Sequence, residues 1–172
     1  MSDELAVRVG DADSDLARWA ADELSSFGWS ADGLYLATSN AGHRESVEFW
    51  RAALDTGLAF ANPRLFPWTL ANSATGAIAQ ELGVRGPTYT LVGHRDAALG
   101  IVEHAEDDLA DRLVSRALVV TVARGADGRS RLAAALVTSE LSIDYRESLI
   151  TTFVECLTSC SSRPMVASQP SR

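Results

Sequence analysis

The chain has 172 residues, 47% of them apolar, with 23 acidic and 15 basic residues and a net charge of −8. That length supports one domain with a real core. The charge argues against a nucleic-acid partner, because phosphate binding needs a concentrated basic surface that these scattered residues do not make. Every basic residue is Arg, which removes any chemistry built on a lysine amine. No apolar run approaches the ~20 residues of a membrane span, so no membrane association is expected.

The opening MSDELAVRVG lacks the basic segment and apolar stretch of a secretory signal, so the expected location is cytoplasmic. Leu5 to Val9 alternates weakly and reads as a first short strand. Asp11 to Asp15 is an acidic, cap-rich helix entry, and Leu16, Trp19, Ala20, Leu24 and Phe27 continue it as an apolar stripe. Gly28 and the turn at 30–33 end that helix. Leu34 to Thr38 is apolar throughout and predicts a strand buried on both faces. After a loop at 39–43, helical spacing over Glu45 to Leu54 points Val47, Trp50, Ala53 and Leu54 inward, until Gly57 and Asn62-Pro63 break it.

The stretch from Phe66 to Leu99 organises the rest. Ala71, Ala74, Ile78 and Leu82 share one helical face, Gly83 ends the helix, and Gly86-Pro87 resets the chain direction. Thr88 to Val92 is β-branched and aromatic, suited to a strand. Gly93 suits a strand-to-helix elbow, the corner where many α/β enzymes hold a nucleophile. Here the corner carries His94, Arg95 and Asp96, with no Ser or Cys.

Beyond the corner, Ala98, Leu99, Val102, Leu109 and Leu113 predict the apolar face of a longer helix. Its other face carries Glu103, Glu106, Asp107, Asp108 and Asp111, read as a solvated face in preference to a metal or partner site. Ala117 to Val122 and Leu132 to Thr138 are apolar strands joined by a turn at 125–128, and should pair. Asp144 with Glu147 resembles a capping box opening a last helix with a stripe of Leu149, Ile150, Phe153, Val154 and Leu157. Cys156 and Cys160 are too few for a structural zinc site, and no cofactor or metal is expected. The tail 161–172 is Ser/Pro/Gln-rich and expected to be disordered, leaving a single domain over 1–160.

Asn72, Ala74, Gly76, Ile78 and Ala79, then Leu82, Gly83, Arg85, Gly86 and Pro87, then a strand through Thr90 and Leu91, resemble the N-terminal half of a β-ketoacyl synthase. That family carries Asn-x-Ala-x-Gly-x-Ile-Ala, Leu-Gly-x-Arg-Gly-Pro and Thr-Val-Ser-Thr-Ala-Cys in the same order. The resemblance implies an α/β, thiolase-like half-fold: a mostly parallel five-stranded sheet flanked by helices, with an antiparallel edge strand. It also implies that Arg95 stands at the position of the nucleophilic Cys, that the decarboxylating residues belong to a second half this sequence does not contain, and that Thr88, Tyr89, Thr90, Leu91 and Val92 form the dimer-interface strand. The chain is in this respect similar to chain-length-factor-type relatives that have lost the Cys.

A condensing enzyme needs a thiolate to hold the acyl chain and donors to stabilise an enolate, so carbon–carbon bond formation is not expected. The leading expectation is a degenerate ketosynthase-like subunit of a polyketide or fatty-acid system, acting as a homodimer or as the partner of a full-length ketosynthase. An acyl carrier protein is a further candidate partner, although two acidic proteins match poorly. The alternative is an enzyme with a repurposed corner, in which His94 and Asp96, with His43 from the neighbouring loop, act on an acyl thioester by hydrolysis, dehydration or isomerisation. Against it stands a plugged pocket, with Arg95 and Asp96 paired and His94 exposed. In a third reading the last helix covers the exposed half-fold, with Leu149, Phe153 and Leu157 filling the place of the missing half.

Overall fold

The computed structural model describes residues 4–11, 15–64, 66–138 and 141–159. Strands β1 (Glu4–Gly10), β2 (Gly33–Thr38), β3 (Thr88–Val92), β4 (Ala117–Arg124) and β5 (Ser130–Val137) form one sheet in the order β1-β5-β4-β2-β3. Helices α1 (Leu16–Ser26), α2 (His43–Thr56), α3 (Asn72–Leu82), α4 (Arg95–Ala110) and α5 (Ile143–Thr158) surround it, with 3-10 turns at Leu58–Phe60 and Phe66–Thr69.

The period-2 alternation of the strands sorts their side chains into two cores. Leu34, Leu36, Leu118, Val120, Leu132 and Ala134 meet α1 and α3 on one face. Tyr35, Ala37, Val119, Ala133 and Ala135 meet α4 and α5 on the other. Both faces of β2 are covered, and all six of its residues are buried as its unbroken apolar run predicts. On α5, Leu149, Phe153 and Leu157 are fully buried against the sheet and α4. A helix outside the βαβ pattern thus closes the second face.

Two of the four neighbour pairings are antiparallel, so the sheet is mixed and not mostly parallel. The expected β4–β5 hairpin forms, but its reversed strand β5 lies inside the sheet. The N-terminal strand β1 pairs outside it, with Glu4 opposite Leu136 and Gly10 opposite Ser130, and takes the edge expected for β5. The hairpin is a local pairing that the turn announces. The β1–β5 pairing joins opposite ends of the chain and leaves no local pattern.

Three further expectations change. Helix α2 buries Phe49 and Ala53, whereas Val47, Trp50 and Leu54 are exposed, because α2 packs on the two 3-10 turns and not on the sheet. Leu113 lies past the end of α4 and is exposed. The cap of α5 is Ser142, whose Oγ accepts from the Tyr145 N–H, rather than an Asp144/Glu147 box. Helix α1 begins as its acidic entry suggests, with Asp15 Oδ1 accepting from the N–H groups of Ala17 and Arg18. Cys160 and the tail at 161–172 lie outside the described residues.

Candidate functional site

Two glycines shape the ends of β3, Gly86 before it for lack of room and Gly93 after it for its backbone angle. At Gly86 a Cβ would run into the carbonyl oxygen of Asp32, which accepts the Gly86 N–H at 3.0 Å. This contact seats the Arg-Gly-Pro turn against the start of β2. At Gly93 the backbone has φ +156°, in the region L side chains rarely adopt, and its N–H donates to Thr38 O at 2.9 Å. The chain then turns through His94 into α4, which Arg95 opens. His94, Arg95 and Asp96 are all exposed.

The loops after β2 and β3 leave from the same end of the sheet, since Thr38 is in register with Val92. Thr38 Oγ1 accepts from the N–H groups of Asn40 and Ala41. Asn40 in turn clamps the end of β4, accepting the Arg124 N–H at 2.9 Å and donating to the Arg124 carbonyl at 2.8 Å. The ends of β2, β3 and β4 are thereby fastened into one floor. Asn40 was not singled out from the sequence. A short polar residue directly after a buried strand is the signal that could have found it.

On that floor each candidate residue has its own separate place. The His94 Nδ1 lies 3.3 Å from the carbonyl oxygen of Leu157 in α5. A carbonyl only accepts, so this bond places the proton on Nδ1. Asp96 lies in the first turn of α4, where negative charge suits the helix N-terminus. His43 opens α2 and lines a groove with Ser46, Val47 and Trp50. Among the described residues no hydrogen bond or ion pair joins His94, Asp96 and His43, and no salt bridge joins Arg95 to Asp96.

Of the acids expected on the solvated face, Glu103, Asp107 and Asp111 are exposed, whereas Glu106 and Asp108 are drawn into the fold. Glu106 accepts from the Arg146 guanidinium of α5 at 2.8 Å and Glu103 forms an ion pair with it at 3.6 Å, and the bond to Glu106 above all pushes the Arg146 pKa up. Asp108, expected on the solvated face, is buried beneath Tyr35. Among the described residues no group of three or more His, Cys, Asp or Glu is placed to hold a metal, and no helix is long and apolar enough to cross a membrane.

The edge strand β3 completes the site. Pro87 O accepts from the Leu34 N–H and the Gly93 N–H donates to Thr38 O, so the odd-numbered residues between them turn their backbone groups toward β2. In a parallel ladder the alternate residues turn theirs away. The N–H and C=O groups of Thr88, Thr90 and Val92 therefore face outward from the sheet edge.

No family model matches the chain, and no curated protein matches it. Solved structures do. The ishigamide ketosynthase/chain length factor matches with a TM-score of 0.60 at 19% identity, over 72% of this chain and 42% of that one. The ketosynthase ApeO in complex with its chain length factor ApeC, from Xenorhabdus doucetiae, matches at 0.59 and 13% identity, over 82% of this chain and 70% of that one. The oxazolomycin ketosynthase domain OzmH KS7 of Streptomyces albus JA3453 matches at 0.51 and 14% identity, over 77% of this chain and 28% of that one. The fold is ketosynthase-like. The chain spans less than half the length of the ishigamide ketosynthase/chain length factor chain, so the ketosynthase-like part is a partial one. Within this ketosynthase-like fold, Arg95 is the first residue of the helix that follows the edge strand.

Proposed function

We propose that the chain is a non-condensing, ketosynthase-like subunit of a polyketide biosynthetic system that pairs with a full-length ketosynthase through the outer edge of β3. The observation that carries this is the corner itself. The strand, the glycine turn and the helix are intact, yet the residue opening the helix is the exposed Arg95, where the β-ketoacyl synthase resemblance puts a nucleophilic Cys. A guanidinium stays protonated and offers no nucleophile.

Two further features support a partner role. The outward backbone groups of Thr88, Thr90 and Val92 are a template for strand addition. Leu149, Phe153 and Leu157 of α5 are buried against the sheet and α4, so that face of the sheet is covered from within the chain while the β3 edge is left open. Two of the structural neighbours are described as ketosynthases with chain length factors, the kind of assembly proposed here.

The competing reading, an acyl-thioester enzyme at His94 and Asp96, requires the two to act together. The contact the structure gives His94 is instead with the Leu157 carbonyl. The test is co-expression with a full-length polyketide ketosynthase from the same source, followed by size exclusion. Co-elution is expected. Separate elution, or acyl-thioester turnover that His94→Ala and Asp96→Ala abolish, would overturn the proposal.

A further inference from the structure

Helix α5 ends beside the last residues of the edge strand. The Leu157 carbonyl in its final turn lies 3.3 Å from Nδ1 of His94, which stands just past the end of β3. Residues 160–172 follow in the sequence, beyond the helix cap at Ser159. The chain thus leaves the described structure within reach of the outward N–H and C=O groups of Thr88, Thr90 and Val92.

The segment beyond α5 has the length and the composition to use that row. At ~3.3 Å per extended residue, residues 160–164 cover ~17 Å, enough to round the corner at His94. Met165, Val166, Ala167, Ser168 and Gln169 then lie between Pro164 and Pro170. These residues keep the N–H that a ladder needs, and the flanking prolines confine the pairing to them. Their number matches the 5 residues of β3, and a segment arriving at the C-terminal end of that strand runs antiparallel to it. Val92 at that end is 63% exposed and offers Met165 or Val166 an apolar neighbour. Charge acts in the same direction, because residues 160–172 carry Arg163, Arg172 and no acid in a chain of net charge −8.

We propose that residues 165–169 add to β3 as a loose sixth strand in the free chain, an internal strap over the edge where a partner docks. The inference rests on the β3 reading above and deepens it, since the strap covers the row of backbone groups the partner needs. A short strand with few side-chain contacts pairs only marginally. The strap therefore opens readily, slowing exchange of the covered amides ~10-fold and lowering the availability of the edge by the same factor.

The experiment measures amide exchange at Thr88, Thr90 and Val92 in the full chain alone, for the wild type, the double variant Val166→Pro/Ala167→Pro and the control Ser171→Pro. Adjacent strand residues turn their N–H groups to opposite sides, so one of the two new prolines removes a ladder donor in either register. Ser171 lies beyond the paired residues. Exchange at the three amides should rise ~10-fold in the double variant and stay at the wild-type rate in the control, while Val120 in the middle of β4 keeps its rate in all three. Equal exchange in the three proteins overturns the strap and leaves the pairing of β3 with a partner standing. Protection that grows with protein concentration overturns it by assigning the segment to the edge of a second copy. No ketosynthase is present in this experiment, so a failure of the partner reading shows itself separately, in the co-elution test.

Discussion

The Tyr35 hydroxyl donates a 2.7 Å hydrogen bond to Oδ2 of Asp108, which lies 73 residues further along the chain. It joins the middle of β2 to the last turn of α4 inside the protein, where Tyr35 is fully buried and Asp108 nearly so. The Tyr35 ring stacks on Tyr89 at 5.5 Å, and Tyr89 stacks on His104 at 5.2 Å, so edge strand β3 is held between β2 and α4 by aromatic contact. Tyr35→Phe keeps the rings and removes the donor from a buried carboxylate. The expected cost is about 2 kcal/mol, a fall in melting temperature of roughly 4–8 °C for a chain of this size. Thermal unfolding followed by circular dichroism checks it.

The same bond predicts an alkaline limit. Burial, and then the bond to Asp108, push the Tyr35 hydroxyl well above its ordinary range. The folded state therefore holds a proton that the unfolded chain releases near pH ~10. Stability from this group is complete below that pH and is lost as pH rises beyond it. Urea unfolding at pH ~8 and pH ~11 should show a drop in the wild type that is smaller in Tyr35→Phe.

The turn between β4 and β5 predicts the opposite sign at low pH. The Arg131 guanidinium bonds both carboxylate oxygens of Asp127, at 3.0 and 2.6 Å, and the Arg129 N–H adds a third bond, holding its pKa at about 2. The stabilisation is present above the ordinary carboxylate range and lost as pH falls through about 2. Carboxyl titration by NMR should show this, and Arg131→Ala should move the Asp127 pKa up toward the ordinary carboxylate range, with the Arg129 N–H bond still holding it below.

A cysteine at the corner should not bring back chemistry. Arg95→Cys supplies a thiolate position at the start of α4, but condensation also needs donors for an enolate, which the family resemblance places in a second half. Neither malonyl-thioester decarboxylation nor carbon–carbon bond formation is expected from this variant. Turnover above background would contradict the partial-fold reading.

The sequence made visible what is local. The run Leu34 to Thr38 announces a doubly covered strand, Gly93 announces the corner, and the turn before Ser130 announces the β4–β5 hairpin. Periodicity shows which side chains share a face, but not what that face meets. Val47, Trp50 and Leu54 lie on one side of α2 as their spacing predicts, yet that side faces solvent. Asp108 was assigned to water by its charge, and its burial depends on a tyrosine that only the tertiary fold brings near. The place of β5 inside the sheet depends on β1, more than 100 residues earlier. At the site, the corner position of Arg95 was legible. The clamp by Asn40 and the Leu157 carbonyl opposite His94 were not, because both join distant segments.

The measurement that tests the partner reading most directly is amide hydrogen exchange on β3, with and without the cognate ketosynthase. The N–H groups of Thr88, Thr90 and Val92 face outward from the sheet edge and should exchange readily in the free chain. In the complex all three should be strongly protected, while the amides of the Asp127 turn keep their rates. Unchanged exchange at these three positions in a saturated complex would contradict the account.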